Sequence, residues 1–312
     1  MESGSVLITG GGGFVGRHLI AELQRNNSFS RIVVLDAKEQ DYPRGVEGRV
    51  CDIAQSSTYA PVIADVRPDW VIHLAAVSSV PFAIKHPELT RTVNVIATDQ
   101  LIDTTLSVSP SASFLIISSA DIYGSTSSDP VAELPLAKAH PLNPYAESKL
   151  EMERLIEEKY NASCIRVRPF PHIGPGQATG FVTSDFASQI AAIEKGIHGA
   201  TMLVGNLDAK RDFTDVRDVV RAYRLLIEEG RKGEVYHVAS SKVHAISEVL
   251  EVLLSFSTAS ITVTQDPSRM RPSENSIVVG SIEKIMEETS WKPEIPFRDS
   301  LRDILEDWRS RV

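Results

Sequence analysis

The feature that most constrains the fold is a glycine-rich turn near the N-terminus. Residues 9–16 read T-G-G-G-G-F-V-G and lie between an apolar run and an amphipathic stretch that continues to residue 25. Glycines spaced three apart permit a tight turn and a close approach of the backbone to a pyrophosphate. The helix that follows offers free N–H groups and the positive end of its dipole. The motif predicts a dinucleotide site at the first strand-to-helix turn. The residues expected to contact the dinucleotide there are Gly10, Gly13, Phe14, Val15 and Gly16.

The first half of the chain alternates short apolar runs with helical patterns. The helical patterns lie at 14–25, 88–107 and 144–160. The apolar runs, which read as buried parallel strands, are 5–10, 31–36, 69–76, 113–120 and 162–169. Strands that alternate with helices indicate right-handed crossovers and therefore an α/β fold with a doubly wound parallel sheet of the Rossmann type.

The composition changes after Pro169. Residues 170–185 and 264–276 are rich in Gly, Pro, Ser and charge, which is typical of binding loops. We expect a smaller, discontinuous C-terminal substrate-binding lobe. The predicted boundaries are 1–169 plus about 213–240 for the NAD(P)-binding domain, and 170–212 plus 241–312 for the substrate lobe.

Charge and cysteine content exclude several classes of protein. The 312 residues carry a net charge of −9 and no run of five basic residues, so we expect neither nucleic-acid nor anionic-membrane binding. No apolar stretch approaches the length of a membrane span, and residues 5–10 are too short for a signal sequence. Two distant cysteines, Cys51 and Cys164, are interpreted as reduced thiols. We expect a cytoplasmic protein without a metal site.

Two aspartates follow the second strand and the next extended segment. Asp36 lies 20 residues beyond Gly16, where a carboxylate accepts the hydroxyl protons of an adenosine ribose and repels a 2′-phosphate. This favours NAD(H) over NADP(H), although Arg17 and nearby cations could offset it. Asp52, followed by Ile53, suits the adenine amino group. Either aspartate could instead be a turn residue or a helix cap.

A tyrosine and a lysine one helical turn apart form the candidate catalytic pair. P-Y-A-E-S-K (144–149) opens a helix, so Tyr145 and Lys149 lie on one face. A neighbouring ammonium stabilises tyrosinate, and we therefore expect the pKa of Tyr145 to be lowered. Ser118 and Ser119 leave the fourth strand at its carboxyl end, where ligands bind in such sheets, but either hydroxyl could merely bond the backbone.

Together these segments resemble the extended short-chain dehydrogenase/reductase family over essentially the full chain. The resemblance rests on TGGGGFVG, Asp36, HLAA (73–76), SSADIYG and YAESK. It implies a catalytic set of Ser119, Tyr145 and Lys149, with Tyr145 and Lys149 also contacting the cofactor. It further implies that Leu74, Ala75 and Ala76 pass beneath the cofactor and that Asn94 braces the active-site helices. His73 is interpreted as a core histidine.

The substrate half is similar to the GDP-6-deoxy-4-keto-D-mannose reductases of that family, whose product is GDP-D-rhamnose. The similar segments are RPFPHIGPGQ (168–177), GFVTSDFASQI (180–190), GNLDAKRDFTDVRDVVRAY (205–223), RMRPSE (269–274) and SWKPEI (290–295). A GDP-linked 6-deoxyhexose is the implied substrate. The residues implied to bind it are Ser119, Asp121, His172, Gln189, Arg211, Arg271 and Glu274.

One position departs from the family pattern. Pro171 stands where the family commonly has an asparagine whose amide contacts the substrate diphosphate. Proline has neither a side-chain donor nor an N–H. That contact must be lost or replaced, and His172 is the candidate replacement.

The reaction can be argued from the two positions after Ser119. In the dehydratases of this family an acid and a base follow the catalytic hydroxyl, whereas here they are Ala120 and Asp121, and alanine transfers no proton. We expect NAD(P)H-dependent reduction of the C4 keto group of GDP-4-keto-6-deoxy-D-mannose, with Tyr145 as proton donor. GDP-mannose 4,6-dehydration, 4-epimerisation and a non-enzymatic dinucleotide sensor stay open as alternatives. The family resemblance also implies a homodimer.

Overall fold

The computed structural model describes residues 4–124, 130–269 and 279–312. The strands in these residues are β1 Ser5–Thr9, β2 Arg31–Asp36, β3 Val46–Val50, β4 Trp70–His73, β5 Ser113–Ile117, β6 Cys164–Pro169, β7 His172–Ile173, β8 Thr201–Val204, β9 Lys210–Asp212, β10 Thr214–Asp215, β11 Val235–Val238, β12 Val243–Ala245 and β13 Thr262–Gln265. The helices are α1 Phe14–Arg25, α2 Ser56–Val66, α3 Val80–Lys85, α4 Pro87–Arg91, α5 Ala97–Val108, α6 Pro144–Lys159, α7 Val182–Glu194, α8 Val216–Glu229, α9 Ile246–Ser255, α10 Glu283–Glu288 and α11 Phe297–Arg311. A π-helical turn, Thr92–Ile96, joins α4 to α5.

A seven-stranded parallel sheet forms the centre, in the order β11-β6-β5-β4-β1-β2-β3. The chain builds outward from β1 through β2 to β3, then returns to place β4 on the other side of β1. This reversal leaves a crevice beyond the carboxyl ends of β1 and β4, which is where such sheets bind ligands. The predicted doubly wound Rossmann sheet is confirmed.

Helices cover both faces of the sheet, which explains why its inner strands are apolar on both sides. On one face α1 and α8 contribute Leu19, Ile20, Val219 and Tyr223 to a buried cluster with the strands. On the other face the buried residues contributed by α2, α5 and α6 include Tyr59, Leu101, Ile102, Met152 and Ile156. The first strand, β1, is therefore fixed between two packed layers.

A separate core lies in the C-terminal part of the chain. It joins α7, α9, α11 and β8 through residues such as Ile190, Met202, Leu250 and Leu301. The lobe boundaries drawn from the sequence stay a prediction. Ile285 and Trp291, which that division assigns to the substrate lobe, lie in the first core cluster beside the central sheet.

Both cysteines are buried and unpaired, and burial raises the pKa of the Cys164 thiol to about 12. Among the described residues no helix is both long and apolar enough to pass through a bilayer. The same residues contain no group of three or more His, Cys, Asp or Glu side chains suited to a metal ion.

Candidate active site

The glycine turn has the geometry that a dinucleotide cradle requires. Gly10 has a φ of +70°, and its N–H donates to the Leu35 carbonyl at 2.8 Å. A Cβ on Gly16 would lie 2.4 Å from the Gly11 Cα, so α1 packs against the turn without room for a side chain. Gly10 and Gly16 are therefore glycines because backbone lies where their side chains would be.

The first helix begins without a side-chain cap. Gly13 is the N-cap of α1 and forms no side-chain cap hydrogen bond. Its backbone N–H donates to the Gly10 carbonyl at 3.1 Å. The first N–H groups of an α-helix have no intrahelical partner, and together with the helix dipole they suit an anion. The site therefore fits the pyrophosphate of a dinucleotide on its own geometry.

Asp36 ends β2 beside this turn, and its carboxylate binds backbone. One oxygen accepts the Gly12 N–H at 3.0 Å, and the other accepts the Lys38 N–H at 3.2 Å. Arg17 lies on the same side, because its Nε donates to the Gly12 carbonyl at 3.1 Å and its Nη2 donates to Gln40 Oε1 at 2.8 Å. A negative and a positive group thus flank one glycine of the cradle.

Asp52 has the turn role that the sequence left open. Its exposed carboxylate accepts the Ala54 N–H at 3.0 Å and the Gln55 side-chain amide at 2.7 Å, just before α2. Contacts of Asp52 and Ile53 with an adenine stay a prediction.

The loop after β4 is held by polar contacts beneath the cleft. Leu74 donates its N–H to the Thr9 carbonyl at 3.1 Å, and Ala75 donates to Thr9 Oγ1 at 3.2 Å. Asn94 is buried; its Oδ1 accepts the Val77 N–H at 2.8 Å, and its Nδ2 donates to Ser148 Oγ at 2.9 Å. Asn94 therefore ties this loop to α6. Cofactor contacts of Leu74, Ala75, Ala76 and Asn94 stay a prediction.

His73 is a core histidine. Its ring nitrogens bond Thr9 Oγ1 at 2.7 Å and Thr98 Oγ1 at 2.9 Å. Burial, with a smaller contribution from the Lys149 charge, lowers the pKa of His73 to about 3. A neutral, fully engaged imidazole has no proton to exchange with a substrate.

The structure brings Ser119, Tyr145 and Lys149 together at the end of β5. Ser119 caps a short 3₁₀ turn, with its Oγ accepting the Asp121 N–H at 3.1 Å. Asn143 caps α6, with its Oδ1 accepting the Ala146 N–H at 2.9 Å, which fixes the first turn that carries Tyr145. Lys149 is buried and donates from Nζ to the Ile117 carbonyl at 2.7 Å.

The predicted lowering of the Tyr145 pKa is wrong for this structure. Burial of the phenol raises its pKa, the Asp121 charge raises it further, and a hydrogen bond from Ser119 lowers it only in part. Burial also lowers the pKa of Lys149 to about 8. The cost of burying a charged phenolate exceeds the stabilisation from the Ser119 hydrogen bond, so the Tyr145 phenol is protonated at neutral pH.

Asp121 and Arg211 interact electrostatically across the cleft. Burial raises the pKa of the Asp121 carboxyl, and Arg211 opposes that rise. Burial lowers the pKa of the Arg211 guanidinium, and Asp121 opposes that fall. Arg211 Nη1 donates to the Lys210 carbonyl at 2.7 Å, and with the described residues it forms no ion pair at salt-bridge distance. Its guanidinium therefore remains suited to an anionic ligand.

His172 does not fit the donor role expected of it. Its Nδ1 lies 3.1 Å from the Phe170 carbonyl, which can only accept, so Nδ1 carries the proton. Burial lowers the pKa of His172, which leaves the ring neutral and Nε2 an acceptor. The ring stacks on Phe14 of the glycine turn, with centroids 6.1 Å apart. An acceptor cannot replace the amide donor that is missing at Pro171.

Gln189 is also engaged elsewhere. Its Oε1 accepts the Leu203 N–H at 3.0 Å and its Nε2 donates to the Leu203 carbonyl at 3.1 Å, so the side chain joins α7 to β8. The expectation that Gln189 faces the sugar or nucleotide is not supported by this geometry. Arg271 and Glu274 lie outside the described residues.

Sequence reasoning missed a chain of buried, hydrogen-bonded polar side chains next to Lys149. Glu153 and Arg168 form an ion pair at 2.8 Å with side chains 0% and 1% exposed. Arg168 also donates to the Tyr123 hydroxyl, which bonds His237. The available signal was Glu153 at i+4 from Lys149, together with an arginine in the apolar strand I-R-V-R-P.

Comparisons with known proteins decide the family. The family model described as GDP-mannose 4,6 dehydratase matches residues 7–304. The chain belongs to this family. It is 37% identical over 98% of its length, and 98% of the relative's length, to the GDP-6-deoxy-D-mannose reductase of Pseudomonas aeruginosa. It is 27% identical to human GDP-mannose 4,6 dehydratase, over 91% of this chain and 82% of that one.

Solved structures agree with this assignment. The structure of RMD from Pseudomonas aeruginosa complexed with NADPH matches with a TM-score of 0.84 and 35% identity, covering 99% of this chain and 100% of that chain. The extended dehydrogenase fold expected from the sequence is therefore the observed one.

Proposed function

We propose that this protein is an NAD(P)H-dependent reductase that converts the C4 keto group of GDP-4-keto-6-deoxy-D-mannose to the alcohol of GDP-D-rhamnose. The observation that carries this proposal is the arrangement at the end of β5. Tyr145, which keeps its proton, lies beside Ser119, and the residue after Ser119 is Ala120. With its pKa raised, Tyr145 keeps at neutral pH the proton that a reduction requires, and Ala120 supplies no second acid or base for dehydration. The similarity to a GDP-6-deoxy-D-mannose reductase over nearly the full chain supports the same reaction.

The cofactor site is assigned to the cradle after β1. Gly10, Gly13 and Gly16 with the start of α1 would hold the pyrophosphate, and Asp36 would face the adenosine ribose. Tyr145 and Lys149 would contact the nicotinamide end, where Lys149 can also bond the ribose. When bound, the reduced nicotinamide supplies the hydride.

The choice between NADH and NADPH depends on two opposed groups. Asp36 favours the free ribose hydroxyls of NADH, whereas Arg17, anchored to the Gly12 carbonyl and to Gln40, offers a cation for a 2′-phosphate. The related reductase structure was solved with NADPH. We propose that the site accepts both cofactors, with Asp36 giving NADH a mild preference.

The chain's own residues account for the proton and the charge. Tyr145 donates its proton to the carbonyl oxygen as that oxygen gains negative charge. The Ser119 hydroxyl bonds the same oxygen, and the Lys149 ammonium stabilises the phenolate that Tyr145 becomes. Asp121 lies near enough to Tyr145 to affect its pKa, so it borders the sugar. We assign the diphosphate to Arg211, and we propose that Arg271 binds the diphosphate or the nucleotide ribose, with Glu274 elsewhere in the substrate site.

Assembly and location follow as secondary proposals. We propose a homodimer formed through the helices around 92–107 and 144–160. Leu101, Ile102 and Leu150 on these helices are buried within the protomer, whereas Ile96, and Leu89 on the preceding helix α4, are exposed and available. Two unpaired buried cysteines agree with a reducing cytoplasm.

The deciding experiment mixes the protein with NADH or NADPH and enzymatically made GDP-4-keto-6-deoxymannose, then identifies the product by NMR. The expected result is cofactor oxidation and a GDP-linked 6-deoxyhexose with a C4 hydroxyl in the rhamno configuration. Incubation with GDP-mannose is the control. A 4-keto product formed from GDP-mannose without net cofactor use would identify a dehydratase and refute the reductase proposal.

A further inference from the structure

Lys149 is a buried cation whose surroundings determine whether it stays charged. Its side chain is 4% exposed, and burial lowers its pKa to about 8, while the negative charge of Glu153 opposes that fall. Glu153 lies four residues later on α6, one helical turn away on the same face. Without a nearby anion, burial would favour the neutral amine.

The Glu153 carboxylate is held by Arg168. Arg168 on β6 binds it with two forked bonds, Nε to Oε1 at 2.9 Å and Nη2 to Oε2 at 2.8 Å. The remaining guanidinium nitrogen, Nη1, donates to the Leu134 carbonyl at 2.8 Å and to the Tyr123 hydroxyl at 2.6 Å. Two charges are costly to bury, and removing either partner would leave the other charge buried and unpaired.

The chain of bonds continues in one direction to the edge strand of the sheet. Arginine only donates, so the Tyr123 oxygen accepts from Arg168 and its O–H donates to His237 Nε2 at 2.6 Å. His237 Nδ1 then donates to the Ser281 carbonyl at 3.3 Å. Burial lowers the pKa of His237 to about 3, which keeps the single-proton ring that this arrangement requires.

We propose that Glu153, fixed by Arg168 and by the hydrogen bonds that run through Tyr123 to His237, is a positioning residue that keeps the Lys149 ammonium charged. The inference rests on the proposed function, in which Lys149 stabilises the Tyr145 phenolate. Tyr123 belongs to the same 3₁₀ turn as Asp121 and follows Ser119 closely. These hydrogen bonds, from Glu153 through Arg168 to Tyr123, therefore also fix that 3₁₀ turn against α6, the helix that carries Tyr145 and Lys149.

The other titratable groups around Lys149 do not replace this role. His73 on β4 is neutral, with its pKa lowered to about 3. Tyr145, one turn earlier on α6, is protonated because burial raises its pKa. Asp121 faces Tyr145 and Arg211. Among the described residues, Glu153 is the anion that acts on Lys149.

The test is a pH titration of the lysine itself, monitored by NMR of the full-length protein labelled with ¹³C at lysine Cε. The Lys149 resonance is the one lost in Lys149→Arg. In Glu153→Gln we expect the pKa of Lys149 to fall by about one pH unit. Glu157→Gln is the matched control, since Glu157 lies one turn further along α6 with its side chain 58% exposed and 3.6 Å from Arg166. An unchanged Lys149 pKa in Glu153→Gln would overturn the proposal.

A kinetic measurement and a second variant test the same role of Glu153. The alkaline limb of the kcat profile should move to lower pH in Glu153→Gln and keep its acid plateau, whereas a merely structural role would lower kcat uniformly. If Glu153→Gln does not fold, Glu153→Leu combined with Arg168→Met replaces the ion pair by apolar groups, and a smaller fall in the Lys149 pKa is expected, because the Arg168 cation is removed together with the Glu153 anion. The NMR titration needs no turnover, so it judges this inference even if the protein reduces no sugar.

Discussion

Gly10 lies against the backbone of Ala75, so that a Cβ on Gly10 would be 2.9 Å from both the Cα and the N of Ala75. Gly10 follows β1 and Ala75 follows β4, the two strands between which the order of the sheet reverses. The two loops thus form a common floor for the cleft. Both the positive φ of Gly10 and this contact require glycine.

Gly10→Ala should therefore abolish dinucleotide binding and destabilise the fold by about 1–3 kcal/mol. Gly196→Ala is the matched control, because Gly196 has the same φ of +70° and no atom lies within 4 Å of the place that its Cβ would occupy. Gly196→Ala therefore has the same unfavourable backbone conformation as Gly10→Ala, but its Cβ meets no neighbouring atom. Thermal unfolding and NADH fluorescence titration measure the two effects. Equal cofactor affinity in both variants would mean that the contact with Ala75 does not shape the site.

The opposed charges at Gly12 give a prediction about cofactor choice. Asp36→Asn keeps an oxygen for the Gly12 N–H but removes the negative charge, so the Kd ratio should shift toward NADPH. Arg17→Gln should shift the ratio toward NADH. Asp52→Asn is the control, because adenine is common to both cofactors. If the Asp36 and Arg17 variants weaken NADH and NADPH equally, the assignment of the ribose end is incorrect.

The sequence predicted the inner strands of the sheet well because burial on both faces leaves an unbroken apolar run. It missed β3, Val46–Val50, because an edge strand with the sequence V-E-G-R-V has no such run. It missed α2 because Pro61 lies inside the helix, although the buried Tyr59, Ile63 and Val66 follow a helical period. Edge position and a tolerated proline are decided by tertiary packing.

The sequence also predicted which candidate site residues on the glycine turn and on α6 are neighbours, because spacing along a turn or a helix fixes which groups lie close together. The predictions failed where the hydrogen-bond partners or the burial of a side chain determine its protonation. His172 could be named from the sequence, but the Phe170 carbonyl determines its tautomer. The direction of the Tyr145 pKa depends on burial, which a local motif does not report.

Arg211 should act on substrate affinity alone. Arg211→Gln removes the proposed diphosphate cation, and the loss of charged hydrogen bonds, about 1.5–3 kcal/mol, corresponds to a roughly tenfold to hundredfold rise in KM for the nucleotide sugar. The Kd for NADH should not change. Arg302→Gln, at a half-exposed pair with Asp299 on α11, is the control. A KM unaffected by Arg211→Gln would remove this residue from the substrate site.

The buried histidines predict how stability depends on pH. The pKa values of His73 and His237 are about 3 in the folded protein and 6.5 as the ordinary value. Below pH 6.5 the unfolded chain takes up protons that the folded chain refuses, so stability is present above that pH and lost as pH falls toward 3. Near pH 5.5 the loss is about 1 kcal/mol for each group.

Thermal unfolding between pH 7.5 and 5.5 measures this loss. His73→Gln should lower the midpoint at neutral pH, because its bonds to Thr9 and Thr98 are disturbed, yet flatten the pH dependence. His198→Gln at an exposed position is the control. A slope as steep in His73→Gln as in the unmodified protein would show that His73 is not the group responsible.

Tyr145→Phe tests the proton donor directly. The variant keeps the ring and removes the O–H, so we expect dinucleotide Kd values within a factor of about two and a fall in kcat of roughly 10² to 10⁴. Tyr160→Phe is the matched control, because it makes the same change at the end of α6 and removes only the bond to Asp99 at 2.6 Å.

Because burial raises the Tyr145 pKa, the phenol stays protonated across the assay range. Any fall in kcat at alkaline pH in the unmodified enzyme therefore belongs to Lys149, with its pKa of about 8. Full turnover in Tyr145→Phe would require another proton donor in the cleft. Asp121 would be the first group to test, because the pKa of its carboxyl is raised and its charge raises the pKa of the neighbouring Tyr145 phenol.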